Sequence, residues 1–185
     1  MVPIISAPEP ATDLPAMVPT EAPRSIEHDA TTAQFKVAMR RQALPIAILA
    51  SGSEDGRAGM IATAVISVSM SPASLLISVN RSASLHPVIS SSRLFSVNFL
   101  AQRHERLVSI FSGALKGEER FLHGDWKEAA GIPVLSDAHS SMICEVESSL
   151  VYGSHQIFVG RVKEVEMGDS TTPLIWADGG VVRAR

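Results

Sequence analysis

The sequence predicts a mainly β protein whose short antiparallel strands, with two or three helices inserted between them, form a closed or nearly closed barrel. Three observations carry this. Apolar residues recur at every second position over 60–70 and again in 142–165, the period of a strand. Turn-forming clusters, Ser51-Gly52-Ser53-Glu54-Asp55-Gly56 and Gly153-Ser154, join neighbouring runs at hairpin spacing, where a parallel sheet would need long crossovers. Helical periodicity is confined to a few short segments between these runs.

The whole chain narrows the function classes. At 185 residues it is long enough for one domain with a substantial core, without metals or disulfides. A formal charge of −3, with six scattered histidines, gives neither the basic footprint of a nucleic-acid binder nor a metal cluster. No run of about eighteen apolar residues is present, so no transmembrane helix is expected. The single cysteine, Cys144, stands in an alternating apolar set and reads as a small buried hydrophobe; the default compartment is the cytoplasm.

Taken in order, residues 1–30 carry prolines at 3, 8, 10, 15, 19 and 23 and are expected to form an extended or disordered arm, with docking on a partner subunit as the alternative. With no Arg or Lys before Arg24 and no long apolar core, they do not read as an export signal. The folded domain is expected over 31–185. Thr31 or Thr32 caps a helix with an inward face of Phe35, Ala38 and Met39, closed by Pro45. Residues 46–50 form a strand that turns back into 59–70, where Met60, Ala62, Ala64, Ile66, Val68 and Met70 share one face and Thr63, Ser67 and Ser69 the other. Pro72 ends this strand before a second apolar run, 75–79. The stretch 59–80 thus makes a β-corner with small hydroxylated residues on one face, read either as room for a ligand or as an ordinary half-exposed hairpin.

Ser84 is placed to cap a short helix with Pro87 in its first turn. Free N–H groups at a helix start, beside Arg81 and the hydroxyls of Ser82 and Ser84, are what a phosphate group needs, though a capped helix beside a solvated Arg has the same pattern. A strand over 94–100 leads to a helix over 103–112 with Leu107, Ile110 and Phe111 inward and Gly113 as C-cap. Lys116-Gly117-Glu118-Glu119-Arg120-Phe121 reads as a surface loop, and Trp126 with Gly131-Ile132-Pro133 as a further turn. In the β-rich end, Met142, Cys144, Val146, Leu150 and Tyr152 lie on one side of a strand, Gly153-Ser154 turns it, and His155 opens the next. A last strand spans 173–176, and Gly179-Gly180 begins a tail. There is no GxGxxG after a strand, no phosphate-binding Walker loop, no GxSxG elbow and no HExxH.

These pieces resemble, in order, the short-chain flavin reductases with an FMN-binding split barrel, including the reductase components of two-component aromatic monooxygenases. The matching residues are Gly59-Met60-Ile61-Ala62-Thr63-Ala64, Ser67-Val68-Ser69, Pro72, Val79-Asn80-Arg81-Ser82-Ala83-Ser84, Phe95-Ser96-Val97-Asn98, Leu100, Arg120-Phe121, Trp126, Gly131-Ile132-Pro133-Val134-Leu135, Gly153-Ser154-His155, Gly160-Arg161-Val162 and Pro173-Leu174. The similarity covers about 35–176. The chain departs at Ser154, where the family often has Asp or Thr, and at Val181-Val182, where it often has an aromatic residue.

The resemblance implies a homodimer that binds FMN or FAD in a groove near the subunit interface and oxidises NADH or NADPH. It assigns Thr63, Ala64 and Ser67 to the isoalloxazine and ribityl groups, and Asn80, Arg81, Ser82 and Ser84 to the ribityl tail and phosphate. Phe111, Arg120 and Phe121 would shape the pocket wall, and His155 would receive the nicotinamide as the catalytic residue; no metal site is implied. The activity implied is hydride transfer from nicotinamide to flavin, with reduced flavin passed to a partner monooxygenase. A cobalt(II) corrinoid reductase of cobalamin synthesis resembles the same family, and a flavin-binding module without nucleotide activity stays open beside it.

Overall fold

The computed structural model describes residues 25–183 except Asp55 and Thr171, so the arm expected over 1–30 lies mostly outside the described residues. The chain divides into two units, 1–37 and 38–185. Helix α1, Ser25–Arg40, begins before Thr31 and Thr32, which lie inside it and do not cap it. The expected inward face is instead solvent-exposed, with Phe35 62% and Met39 46% accessible. Its apolar residues sit among Thr, Gln, Lys and Arg around the helix and make no stripe wide enough to bury. The helix stops at Arg40, and Pro45 falls in a short strand, β1, Leu44–Pro45.

The second unit is built on a seven-stranded antiparallel sheet. Its members are β2 Ala47–Ser53, β3 Gly56–Ala62, β4 Val65–Met70, β5 Ala73–Asn80, β6 Leu94–Phe99, β9 Ser140–Tyr152 and β10 His155–Met167, in the order β3-β2-β6-β9-β10-β5-β4. The expected hairpin between 46–50 and 59–70 is present, with Ala50 opposite Gly59 and Ala47 opposite Ala62. The single strand expected over 60–70 is two strands. β3 and β4 are joined by Thr63-Ala64 yet form opposite edges of the sheet, so the sheet curls until its edges face each other without pairing. The barrel is therefore split at Thr63-Ala64 and not closed by hydrogen bonds.

The split also decides which side of β4 meets solvent. Ile66, Val68 and Met70 are 58%, 50% and 83% exposed on the outer face of edge strand β4, while Val65 and Ser69 turn partly inward. Leu150 and Tyr152 are likewise exposed, because β9 and β10, thirteen residues each, outrun the core, with register shifts between Val159 and Gly160 and between Val162 and Glu164.

Each face of β2 is buried, which is why it reads as an unbroken run of apolar and small residues. One face packs Ala47 and Leu49 with Ile77, Phe95, Val97, Cys144, Phe158 and helix α2, Leu85–Ser92. The other packs Ile48 and Ala50 with Leu107, Val108, Phe111, Phe121 and Leu135. Between them Asn98, fully buried, donates to Ile48 O at 3.0 Å and Ser96 Oγ at 2.9 Å and accepts from the Leu135 N–H at 2.9 Å. These bonds fasten β6 to the hairpin of β7 Trp126–Ala129 and β8 Ile132–Leu135, in place of the simple turn expected there.

The helix expected over 103–112 starts with a 3-10 turn, Gln102–His104, continues as α3 Glu105–Ser109 and widens into a π turn, Ile110–Ala114; Leu107 and Phe111 are buried and Ile110 half-buried. The expected loop over 116–121 is a 3-10 turn, Gly117–Leu122, anchored because Phe121 is buried and Arg120 bonds inward. The last expected strand is β11, Leu174–Ala177, but the expected tail folds back on it as β12, Gly180–Arg183, and β1 completes a three-stranded sheet.

Candidate functional site

β5 ends at Asn80 directly opposite His155, the first residue of β10. The chain then turns sharply. Asn80 Oδ1 accepts from the backbone N–H and the hydroxyl of Ser82, both at 2.9 Å, and the Arg81 N–H donates to Ser154 O at 2.9 Å. This is the local reason for Asn at that position: its short side chain mimics the backbone and holds the turn. Four of the expected residues, Asn80, Arg81, Ser82 and His155, thus share one corner. His155 is exposed, with Nδ1 2.9 Å from Ser154 Oγ.

Ser84 stands at the N-cap position of α2, as expected, but its hydroxyl makes no capping bond. No acidic residue stands in its first turn, but the His86 N–H is taken by Ala83 O at 3.0 Å and Pro87 has none, so the turn offers a ligand the Ser84 hydroxyl more than backbone donors. Ser84 lines a slot of about 170 Å³ together with Gly59, Arg120, Arg57, Gly56 and Gly117. The Arg120 guanidinium reaches in from the 3-10 turn, donating to Gly59 O at 2.5 Å and Leu115 O at 2.8 Å. Phe111 and Phe121 do not open onto this slot; they are 2% and 5% exposed and brace it from behind. Their rings meet edge-on at 5.5 Å, each also contacting Trp126, and the Phe111 ring lies against Gly59 so closely that a Cβ there would stand 2.9 Å from Cε1.

Thr63 and Ala64 lie at the split. Ala64 O accepts from the Ser78 N–H at 3.3 Å, two residues short of Asn80, so the split and the 80–84 corner adjoin. Ser67 is set apart. It pairs with Leu75, roughly 17 Å along β5 from Asn80, and lines a separate apolar recess of about 250 Å³ with Val65, Phe99, Met142 and Val162. A further depression, about 630 Å³, is bordered by Arg103, Arg106, His104, His123 and Asp137, and none of the expected site residues faces it.

Sequence reasoning missed one pair at the slot. Glu118 accepts from the Arg57 backbone N–H at 2.5 Å and from its guanidinium at 2.8 and 2.6 Å, while the guanidinium carbon rides 4.7 Å above the Phe121 ring. Side-chain hydrogen bonds from Arg57 hold the Glu118 carboxyl below its ordinary value, outweighing the opposing effect of partial burial. Two charges 61 residues apart leave no signal in a linear pattern.

A family model described as the flavin reductase like domain matches residues 39–185. The chain belongs to that family. A relative named FMN reductase (NADH) RutF, from Variovorax paradoxus, is 35% identical over 147 residues, 79% of this chain and 82% of its own. The reductase component of an FADH(2)-dependent resorcinol hydroxylase from a Rhizobium species is 36% identical over 146 residues, covering 77% and 81% of the two chains. Among solved structures, the flavin reductase PheA2 superposes with a TM-score of 0.75 at 27% identity over 83% of this chain and 97% of that one. Family membership makes the chain an oxidoreductase with the split-barrel fold, as the resemblance implied.

Proposed function

We propose that this flavin reductase uses NADH to reduce FMN held along the 80–84 corner and the split, and delivers reduced flavin to a partner monooxygenase component in the cytoplasm. The observation that carries the reading is the convergence of Ser84, at the start of α2, and Arg120 on one slot, with Asn80 and His155 paired at one end of β5 and β10. The donor set fits the cofactor. Hydroxyls and guanidinium suit a phosphate, and the small side chains of half-buried Thr63 and exposed Ala64 leave room for a flat ring against the backbone. The relatives named as NADH-dependent FMN reductases support the choice of FMN and NADH.

The bound flavin supplies the redox chemistry, as hydride acceptor from nicotinamide. The chain's own residues bind and orient. Ser82, Ser84 and Arg120 would hold the phosphate; Thr63 would give a hydroxyl at the ring edge; exposed His155, steadied by Ser154, would receive the nicotinamide. The apolar outer face of β4, Ile66, Val68 and Met70, together with exposed Val165 and Met167, supports a homodimer, since an unpaired apolar edge strand invites a second copy. Anaerobic mixing with NADH tests the reading: bleaching of the yellow flavin absorbance is expected, and a protein that binds FMN but stays oxidised would reduce it to a binding module. Light scattering is expected to give twice the chain mass, and a monomer at every concentration would remove the dimer.

A further inference from the structure

We infer that Glu118 is a specificity-determining residue, an internal anion that holds Arg57 at the wall of the phosphate slot and favours a flavin mononucleotide over a flavin carrying a longer phosphate chain. The inference rests on the reading that the slot holds the flavin phosphate.

The geometry is that of an anion already captured. One carboxylate oxygen of Glu118 takes the Arg57 backbone N–H at 2.5 Å, and the other takes the forked guanidinium at 2.8 and 2.6 Å. A backbone N–H and a bidentate guanidinium are equally the donors that recognise a phosphate oxygen. The carboxylate comes this close because residue 56 is glycine: a Cβ there would stand 3.1 Å from Glu118 Oε1, at a backbone φ of +123° that disfavours side chains. Arg57 and Arg120 border the same slot as Ser84, so the slot carries two guanidiniums, of which Glu118 neutralises one.

The Glu118 side chain is exposed while its backbone lies in the anchored 3-10 turn, so leaving Arg57 takes a rotation of the side chain alone. Arg120 and buried Phe121 fix the far side of the turn, so displacement of Glu118 need not disturb the Arg120 end of the slot. A single phosphate bound by Ser84 and Arg120 leaves the Arg57–Glu118 pair closed. A diphosphate that extends to Arg57 must displace the Glu118 carboxylate to gain its guanidinium.

Binding isotherms on the intact protein, read by flavin fluorescence, distinguish the cases with riboflavin, FMN and FAD as probes. Wild type is expected to bind FMN more tightly than riboflavin and than FAD. In Glu118→Gln, FAD affinity is expected to rise about fivefold, the span of one exposed charge pair, with FMN changed less and riboflavin unchanged. Equal affinity of wild type for riboflavin and FMN would overturn the phosphate reading and this inference with it. FMN tighter than riboflavin, but an unaltered FAD-to-FMN ratio in Glu118→Gln, would leave the phosphate slot standing and overturn the role of Glu118. A riboflavin affinity that shifts as much as that for FAD would overturn it too. Glu118 is 54% exposed at its side chain, so the substitution is expected to fold.

Discussion

Gly59→Ala tests whether the slot is held from behind by the aromatic cluster. The added Cβ would stand 2.9 Å from Phe111 Cε1 and 3.2 Å from Leu49 O, on a residue that is itself buried in β3. Carbon atoms in contact prefer about 3.5 Å or more, so the Phe111 ring must retreat by roughly 0.6 Å. It has little room, being wedged 5.5 Å from each of Phe121 and Trp126. Overpacking of this kind costs about 2 kcal/mol, which for a chain of this size lowers Tm by about 6 °C. Because Gly59 O also anchors the Arg120 guanidinium, the strain passes to the slot, and FMN affinity is expected to fall about tenfold, or about 1.4 kcal/mol, with riboflavin affected less. Thermal unfolding and fluorescence titration read the two effects separately. Adding Phe111→Leu to Gly59→Ala, which frees space where the methyl intrudes, is expected to recover part of the lost stability. An unchanged Tm in Gly59→Ala, or a double variant whose losses simply add, would refute the idea that Phe111 supports the slot through Gly59.

Other outcomes follow from single contacts. Gly160→Ala would place a Cβ 2.5 Å from Phe95 Cζ and 3.0 Å from Cys144 Cβ in the buried sheet, and is expected to cost about 3 kcal/mol, seen as a Tm lower by about 10 °C. Burial pushes the Cys144 thiol up to about 12, so at pH 8 it stays protonated; native protein is expected to resist alkylation that proceeds readily in denaturant, as followed by mass spectrometry. His155→Ala is expected to slow NADH-dependent reduction in stopped-flow while FMN affinity changes little, because the ring is exposed and not built into the 80–84 turn. Unchanged reduction would remove His155 from the mechanism.

What was legible in the sequence was whatever is encoded locally. The two-residue alternation, the Gly153-Ser154 turn, whose Gly153 takes φ +56°, and the 80–84 corner all follow from short-range backbone preferences, and each stands where the spacing put it. What was not legible shares a cause. Ile66, Val68 and Met70 alternate correctly, but period two says only that they share a face, and sheet closure decides which face meets water. Ser67 matched a family pattern yet lines a different recess, because the bulge between Ser67 and Ser69 and its pairing with Leu75 place it far from Asn80. The β7–β8 hairpin was missed because its strands are only four residues each; Asn98, from β6, supplies the fastening. The Arg57–Glu118 pair and the Arg120 anchor are long-range contacts that no window of sequence contains.

The two-residue link at Thr63-Ala64 has a kinetic meaning. Because β3 and β4 are consecutive in sequence but lie at opposite edges of the sheet, neither edge can be laid down by a local hairpin between them. β3 must find β2, β4 must find β5, and the sheet must have curled around its long β9–β10 centre before the link can span the gap. Completing the fold and creating the site at the split are then one event, and a late one, since it waits on pairings distant in sequence. A flavin seated there binds only chains that have finished this step. Its presence during refolding should therefore raise the yield of native protein by drawing finished chains out of the equilibrium.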